Sequence, residues 1–449
     1  ILPTGVCTYE HVVSNIAHDE IVQKSIEVRG LKVSISKIEI PMSFGPAFEG
    51  ERIRKDDLYM EMGGGRTTGV EVLISKDMDQ IEDGLVTLEG PDMADIEEGQ
   101  NLPIGILVEV AGREMQSDFE PILERQFHHL MNYVQGIMHI GQRNIMWIRI
   151  GKGAIEKGFS LKHLGVVLHG KLHQEFGAIL DKVQVKIYTI QEKVEEVMEI
   201  AKAVYTERDL RLGSMTDESE EVFYSCTLCQ SFAPSHVCII TPERIGMCGA
   251  YNWLDGKASF QINPTGPNQP VEKGECIDEE NGYYEGITSF VNQASRGAVE
   301  QVSCYSLMNN PMTACGCFEA IAAMLPTCNG IMVVNRDYQG MTPSGMKFTT
   351  LAGMAGGGMQ TPGFMGVSKH YMTSHKLFKA EGGIKRVVWL PKIMKDEIAD
   401  KLKAVCADIG MPELFDMIAT EEQGTTEEEI MAFMKEKGHP ALEMEDAIG

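Results

Sequence analysis

Apolar positions along the chain change their period several times. The runs "LKVSISKIEI" (31 to 40), "GVEVLISK" (69 to 76), "PIGILVEVAG" (103 to 112), "NIMWIRIG" (144 to 151) and "VQVKIYTI" (183 to 190) are short, β-branched and flanked by turn formers, which predicts strands. Between them, 118 to 135 and 192 to 208 carry the wider spacing of helices. The alternation predicts a layered α/β domain. Near residue 200 the texture shifts, and "DLRLGSMTDESEE" (209 to 221) is polar and acidic, as a linker or exposed turn would be. Beyond it come cysteines, many glycines and short apolar runs such as "NGIMVVNRD" and "KRVVWLPK". The expected fold class is therefore α/β (α+β): two layered mixed domains, 1–198 and 199–449, the second rich in loops. Near the end, Thr426 and Glu429 have the spacing of a capping box and Gly438 that of a helix stop, which predicts a surface helix between them.

Composition then excludes several classes. The chain has 449 residues, 43% apolar and 23% charged, the profile of an ordinary globular protein. A formal net charge of −25 opposes nucleic acid and anionic lipid, so neither a nucleic-acid nor a membrane partner is expected. The start, "ILPTGVCTYEHVV", lacks the features of a signal peptide, and no run of eighteen apolar residues occurs, so a cytoplasmic location is expected. Position 1 is Ile rather than Met, as in a processed product or a fragment. Eleven cysteines in a reducing compartment fit free or metal-bound thiols better than disulfides.

Four of those cysteines fall within "YSCTLCQSFAPSHVCIITPERIGMC" (224 to 248): Cys226, Cys229, Cys238 and Cys248, spaced C-x2-C-x8-C-x9-C. Pro234 and Pro242 supply the turns that wrap such a segment around a centre. Zinc is an awkward occupant, because a zinc ribbon presents two close C-x2-C pairs. A [4Fe–4S] cube suits four thiolates on a looping segment as well or better. The bland alternative is four small buried hydrophobes. Downstream, "NNPMTACGCFEA" places Cys315 and Cys317 on either side of Gly316. With two deprotonated amides, the Cys315 sulfur, the Gly316 and Cys317 nitrogens and the Cys317 sulfur form a planar N2S2 chelate suited to Ni(II) or Cu(II). Two packed thiols would read the same way.

The stretches "EVFYSCTLCQSFAPSHVCIITPERIGMCGA", "NPMTACGCFEAI", "CNGIMVVNRDYQGMTPSGMKFTTLAGMAGGGMQTPGFMG" and "KGHPALEM" together closely resemble acetyl-CoA synthase, the nickel–iron–sulfur subunit of carbon monoxide dehydrogenase/acetyl-CoA synthase complexes. The resemblance covers essentially the whole chain, most densely after residue 221. It implies a [4Fe–4S] cube bridged to two nickel ions. Carried over, Cys226, Cys229, Cys238 and Cys248 hold the cube, and Cys229, Cys315 and Cys317 bridge to nickel. The backbone nitrogens of Gly316 and Cys317 complete the square site. The implied reaction joins CO, a methyl group from a corrinoid iron–sulfur protein, and coenzyme A into acetyl-CoA. Phe232 matches a family phenylalanine beside the nickel, with core packing as its alternative. Trp147 and Arg149 match a Trp-x-Arg pair in a family domain implicated in coenzyme A binding, with an Arg stacked on Trp for structure as the alternative. Without nickel, the same cysteines would make a [4Fe–4S] electron-transfer or scaffold protein.

Other features read more plainly. His169 and His173 are four apart but lack the Glu of an H-E-x-x-H metalloprotease, so they are expected to be solvated or core histidines. The run from Met341 to Met372 holds seven glycines and six methionines but no phosphate loop, which predicts close backbone packing near the cluster. Cys7, Cys276, Cys304, Cys328 and Cys406 are expected to be free thiols. Bacterial members of the resembled family carry a large N-terminal domain that docks the CO dehydrogenase subunit. Nothing in this sequence corresponds to it, so that docking is not expected.

Overall fold

The computed structural model describes residues 38–45, 53–64, 66–213, 215–231 and 233–447, arranged as mixed helices and strands in an α/β fold. Nearly all of the strand expected at 31 to 40 lies outside the described residues. The chain divides into two compact units, Ile1–Tyr205 and Thr206–Gly449.

The first unit holds two four-stranded sheets. β1 (Leu58–Gly63), β4 (Asn101–Leu102), β6 (Ile137–Gln142) and β7 (Ile145–Gly151) run in the order β4-β1-β7-β6, and β2 (Gly69–Ser75), β3 (Val86–Glu89), β5 (Ile104–Ala111) and β8 (Lys182–Tyr188) in the order β2-β5-β8-β3. All eight residues of β5 are buried, because this central strand is covered on both faces. On one face the helix α3 (Gln191–Leu210) lays Val194, Val197 and Ala201 against Val70, Val72 and Leu107. On the other, the helix α2 (Lys162–Phe176) packs onto β8 and β3. Gly165 permits that approach, since a Cβ there would run into Val86 and Val185. The helix α1 (Glu120–Asn132) packs on both sheets, against β2 and β6. Between them Glu71 Oε2 and His139 Nε2 are hydrogen-bonded at 2.7 Å with both side chains buried.

The second unit has a three-stranded sheet ordered β10-β9-β11, from β9 (Val222–Cys226), β10 (Cys238–Ile240) and β11 (Pro270–Glu272). A ribbon of β12 (Cys276–Asp278) and β13 (Tyr283–Tyr284) follows. A four-stranded sheet, ordered β16-β14-β15-β17, joins β14 (Ala320–Leu325), β15 (Gly330–Asn335), β16 (Phe364–Val367) and β17 (Val387–Trp389). Its two central strands are buried throughout. The helix Glu427–Lys437 begins with both bonds of the Thr426/Glu429 capping box and ends at Gly438 in the left-handed conformation, φ 68°.

The segment 209–221 is largely exposed turn, as its polarity suggests, but it is anchored at two buried residues. Leu212 and Asp217 are buried, and Asp217 accepts from the backbone N–H of Glu243 and the hydroxyl of Tyr305 at 3.0 and 2.7 Å. Burial pushes its carboxyl above the ordinary range, opposed by those hydrogen bonds. Glu218 pairs with Lys376. Two of its acidic residues thus pin this exposed segment onto the rest of the second unit.

Candidate metal centre

Short-range geometry assembles the first four cysteines. Cys226 ends β9, Cys238 begins β10, and the two face each other as partners in the antiparallel register. Opposed residues of such a pair have Cβ atoms about 4.5–5.5 Å apart, so two thiols are delivered to one place by strand pairing alone. Cys229 sits in the 3-10 turn Leu228–Ser231 between them. Cys248 returns on a tight path. Thr241 and Arg244 bond each other, Gly246 N–H donates to the Tyr251 carbonyl at 2.6 Å, and Gly249 N–H to the Gly246 carbonyl at 2.9 Å. Gly249 has φ 79°, and a Cβ there would sit 2.7 Å from the Glu319 carboxylate.

The Cys-Gly-Cys segment is stapled to this loop. Thr313 Oγ1 lies 3.1 Å from His236 Nδ1 and accepts from Val237 N–H at 3.2 Å. Past the motif, Glu319 N–H donates to the Met247 carbonyl at 2.8 Å, and Arg336 donates to the Cys248 carbonyl at 3.3 Å. The glycine run backs the motif as expected. Gly357 and Gly358 N–H donate to the Cys315 and Ala314 carbonyls at 3.3 and 2.7 Å, and a Cβ on Gly356 would stand 3.2 Å from Gly316 Cα. Gly358 also accepts from Ser235 Oγ at 2.7 Å, joining all three segments.

These staples bring the Cys315 sulfur within hydrogen-bonding reach of both Cys229 and Cys317. The Cys229 sulfur, then that of Cys317, then burial push the Cys315 thiol up. Burial first, then nearby Cys229 and Cys238, likewise raises Cys226; burial holds Cys238 up at about 12. The ten described cysteines are all free. Six of them are therefore gathered without disulfides, Cys226, Cys238 and Cys315 among them in surroundings that disfavour a bare thiolate, and this donor set fits a thiolate-bound metal cluster. Gly316 takes φ 116°, a conformation that disfavours a side chain. The Cys317 N–H points at Cys315 Sγ from 3.3 Å, and Cys317 is exposed while Cys315 is buried. Phe232 lies outside the described residues, as does Cys7.

Arg244 was not singled out in the sequence. Its buried guanidinium donates to the Cys304 carbonyl at 2.6 Å and lies 5.0 Å from the Tyr371 ring centroid, and its charge bears on Cys238. A cation in an apolar interior, read from "TPERIGMC", is the available signal.

In the first unit, Trp147 and Arg149 share one face of β7, the alternate residues Met146, Ile148 and Ile150 being buried. Arg149 is committed. It stands opposite Glu61 in the register, and its Nε meets Glu61 Oε2 at 2.6 Å. Trp147 covers Gly64, where a Cβ would come within 2.9 Å of the Trp147 Cβ. His169 and His173 are neither free in solvent nor buried in the core: both reach Asp83. No helix among the described residues is long and apolar enough to cross a membrane.

Comparison with known proteins places the whole chain in one family. The family described as the C-terminal part of the ACS/CODH beta subunit matches residues 205–448, and that described as CO dehydrogenase/acetyl-CoA synthase complex beta subunit matches 40–194. Carbon monoxide dehydrogenase/acetyl-CoA synthase subunit alpha of Moorella thermoacetica is 53% identical over 429 residues, 95% of this chain and 59% of its own length. Acetyl-CoA decarbonylase/synthase complex subunit beta of Methanopyrus kandleri is 45% identical over 91% of this chain and 86% of its own. A solved C-terminal domain of an acetyl-coenzyme A synthase alpha subunit is 52% identical, covering 30% of this chain and 98% of its own, with a TM-score of 0.28. The chain thus spans about three-fifths of the Moorella relative and most of the Methanopyrus one, and it belongs to the CO dehydrogenase/acetyl-CoA synthase complex beta-subunit family.

Proposed function

We propose that this chain is an acetyl-CoA synthase, condensing CO, a methyl group delivered by a corrinoid iron–sulfur protein, and coenzyme A into acetyl-CoA. The observation that carries the proposal is that the Cys315 sulfur lies within reach of Cys229, from a motif far away in the chain, as well as of its neighbour Cys317. Cys226, Cys229, Cys238 and Cys248 would hold a [4Fe–4S] cube. Cys229, Cys315 and Cys317, with the Gly316 and Cys317 nitrogens, would hold two nickel ions. When bound, that cluster supplies the carbon–carbon bond-forming chemistry.

The chain's own residues set the conditions. Buried Cys315 anchors the inner side of the site, and exposed Cys317 leaves the other side open to reactants. The Thr313, Glu319 and Gly356–Gly358 contacts hold the thiols in register, so that metal binding costs little reordering. Trp147 and Arg149 are candidates for the adenine and phosphates of coenzyme A, which assigns coenzyme A to the first unit and the cluster to the second. Partner proteins of a complex, and a cytoplasmic location, belong to the same reading.

The test is anaerobic reconstitution with iron, sulfide and nickel, followed by elemental analysis and an acetyl-CoA assay with dissolved CO, a methyl-corrinoid donor and coenzyme A. About four iron and two nickel per chain, by ligand count, with acetyl-CoA formed, is the expected result. Iron without nickel would favour an electron-transfer or scaffold protein.

A further inference from the structure

Asp83, His169 and His173 converge in the first unit, whereas the cysteine centre belongs to the second. His169 and His173 are four apart on α2, so they lie one turn above each other on the same face. Their rings are edge to face, 4.7 Å between centroids. Both Nε2 atoms approach one atom, Asp83 Oδ1, at 3.0 and 2.8 Å. A third donor, the Val183 N–H, reaches that same oxygen at 3.0 Å. Three donors on one carboxylate oxygen is a crowded arrangement for a group that offers two oxygens.

The carboxylate is held in place from the strand side. Gly84 N–H donates to the Val183 carbonyl at 3.0 Å while Val183 N–H donates to Asp83, so β8 grips the loop before β3 on both sides. Gly84 has φ 79°, and a Cβ there would come to 3.6 Å from His169 Nε2. The loop therefore approaches the imidazole closely with its backbone fixed. The two imidazoles are partly buried and Asp83 is partly exposed, leaving an open side for water.

We propose that Asp83, His169 and His173 bind a divalent first-row transition ion of the zinc class. Two imidazole nitrogens and a carboxylate oxygen are borderline-hard donors that suit Zn(II) and its neighbours. An ion held at about 2.1 Å places its ligand atoms roughly 3–3.5 Å apart, close to the separations between these histidine nitrogens and Asp83 Oδ1. The three donor atoms all lie within 4.8 Å of one another. The Val183 N–H serves as the outer hydrogen bond that orients the carboxylate. The ion ties α2 to the loop before β3, and water completes its coordination on the exposed side. This site is independent of the cysteine centre.

The experiment titrates Zn(II) alone, against a chromophoric competitor, into protein whose cysteine centre is already loaded with iron and nickel. Wild type is expected to bind one zinc more than His173→Ala, with at least a tenfold loss of affinity in the variant. Asp83→Asn keeps a hydrogen-bond acceptor for both histidines but loses the anionic ligand, so it should lose zinc while remaining folded. X-ray absorption of the bound zinc should show nitrogen and oxygen ligands only. Equal zinc in wild type and both variants, or sulfur among the ligands, would overturn the assignment.

Discussion

The Cys317 N–H is directed at the sulfur of Cys315 from 3.3 Å, across a Gly316 held at φ 116°. The Cys317 amide is therefore already turned to the Cys315 sulfur, which also lies within reach of the Cys317 thiol, whereas Cys226, Cys229, Cys238 and Cys248 form their own group. The two halves should fail separately. Cys317→Ser is expected to keep about four iron while losing at least half its nickel and all synthase activity, by ligand count. Cys226→Ser should lose iron. Elemental analysis of both variants after the same anaerobic loading checks this, and iron loss confined to Cys317→Ser would reverse the ligand assignment.

Gly358 joins the segments without touching metal. Its φ is 78°, and a Cβ would stand 2.7 Å from Ser235 Oγ and 2.8 Å from the His236 nitrogen. Gly358→Ala must therefore shift backbone as well as accept a strained conformation, a cost of about 1–3 kcal/mol. The expected outcome is a lowered melting temperature with nickel content reduced more than iron content. Melting curves and elemental analysis on one preparation read both. An unchanged nickel-to-iron ratio would mean that the glycine run does not support the Cys-Gly-Cys segment.

Sequence pattern located those elements whose cause is local. The expected strands at 69 to 76, 103 to 112, 144 to 151 and 183 to 190 appear as β2, β5, β7 and β8, since each is an apolar run bounded by turn formers. The capping box at Thr426 was readable because both partners lie within four residues. What stayed hidden depends on distant partners. The burial of Asp217 needs Tyr305, 88 positions away, and the site at Asp83 needs α2, 86 positions away. Charge alone suggests a linker around Asp217, and spacing alone suggests two ordinary histidines at 169 and 173. The Cys-Gly-Cys chelate could be argued from three residues, but its meeting with Cys229 depends on the Thr313, Glu319 and Gly358 bonds, which no local spacing encodes.

The "GHPALEM" stretch has a structural explanation with a pH signature. His439 Nε2–H donates to the Val387 carbonyl at 3.1 Å, while its Nδ1 accepts from Ala441 N–H at 3.2 Å. Only the neutral ring can do both. Burial lowers its pKa to about 4 from the usual 6.5. Because the folded state binds the proton less readily than the unfolded state, this contribution is complete above pH 6.5. It is lost as the pH falls from 6.5 towards 4, on the order of 3 kcal/mol in all. His439→Gln should cost about 1 kcal/mol at neutral pH through the lost acceptor. It should also flatten the fall in stability over that window. Urea melts at pH 7 and pH 5 measure both, and parallel losses in wild type and variant would remove His439 as the cause.

Thr426→Ala removes the side-chain half of the capping box without disturbing the core. The loss should be about 1 kcal/mol, or roughly 2–4 °C in melting temperature for a unit of this size. Metal content should not change. Calorimetry on the loaded protein is the measurement, and a loss of nickel or iron would show that this helix matters to the centre.

Arg149 and Glu61 decide between two readings of the first unit. Their contact at 2.6 Å means that an incoming phosphate must compete with a carboxylate already in place. If Arg149 serves only structure, Arg149→Ala leaves Glu61 without this partner, lowers stability and does nothing to coenzyme A. If Arg149 also meets a phosphate, the variant loses a charge-assisted hydrogen bond of about 1.5–3 kcal/mol, which is tenfold or more in affinity. Glu61→Gln separates stability from binding, because it keeps the shape and releases the arginine from its competitor. The expected outcome is a pair of opposite changes: coenzyme A binds at least tenfold more weakly to Arg149→Ala and more tightly to Glu61→Gln, with iron and nickel unchanged in both. Calorimetric titration of coenzyme A reads the signs directly. Two variants that lose stability alike while binding coenzyme A as wild type does would confine Arg149 to its ion pair.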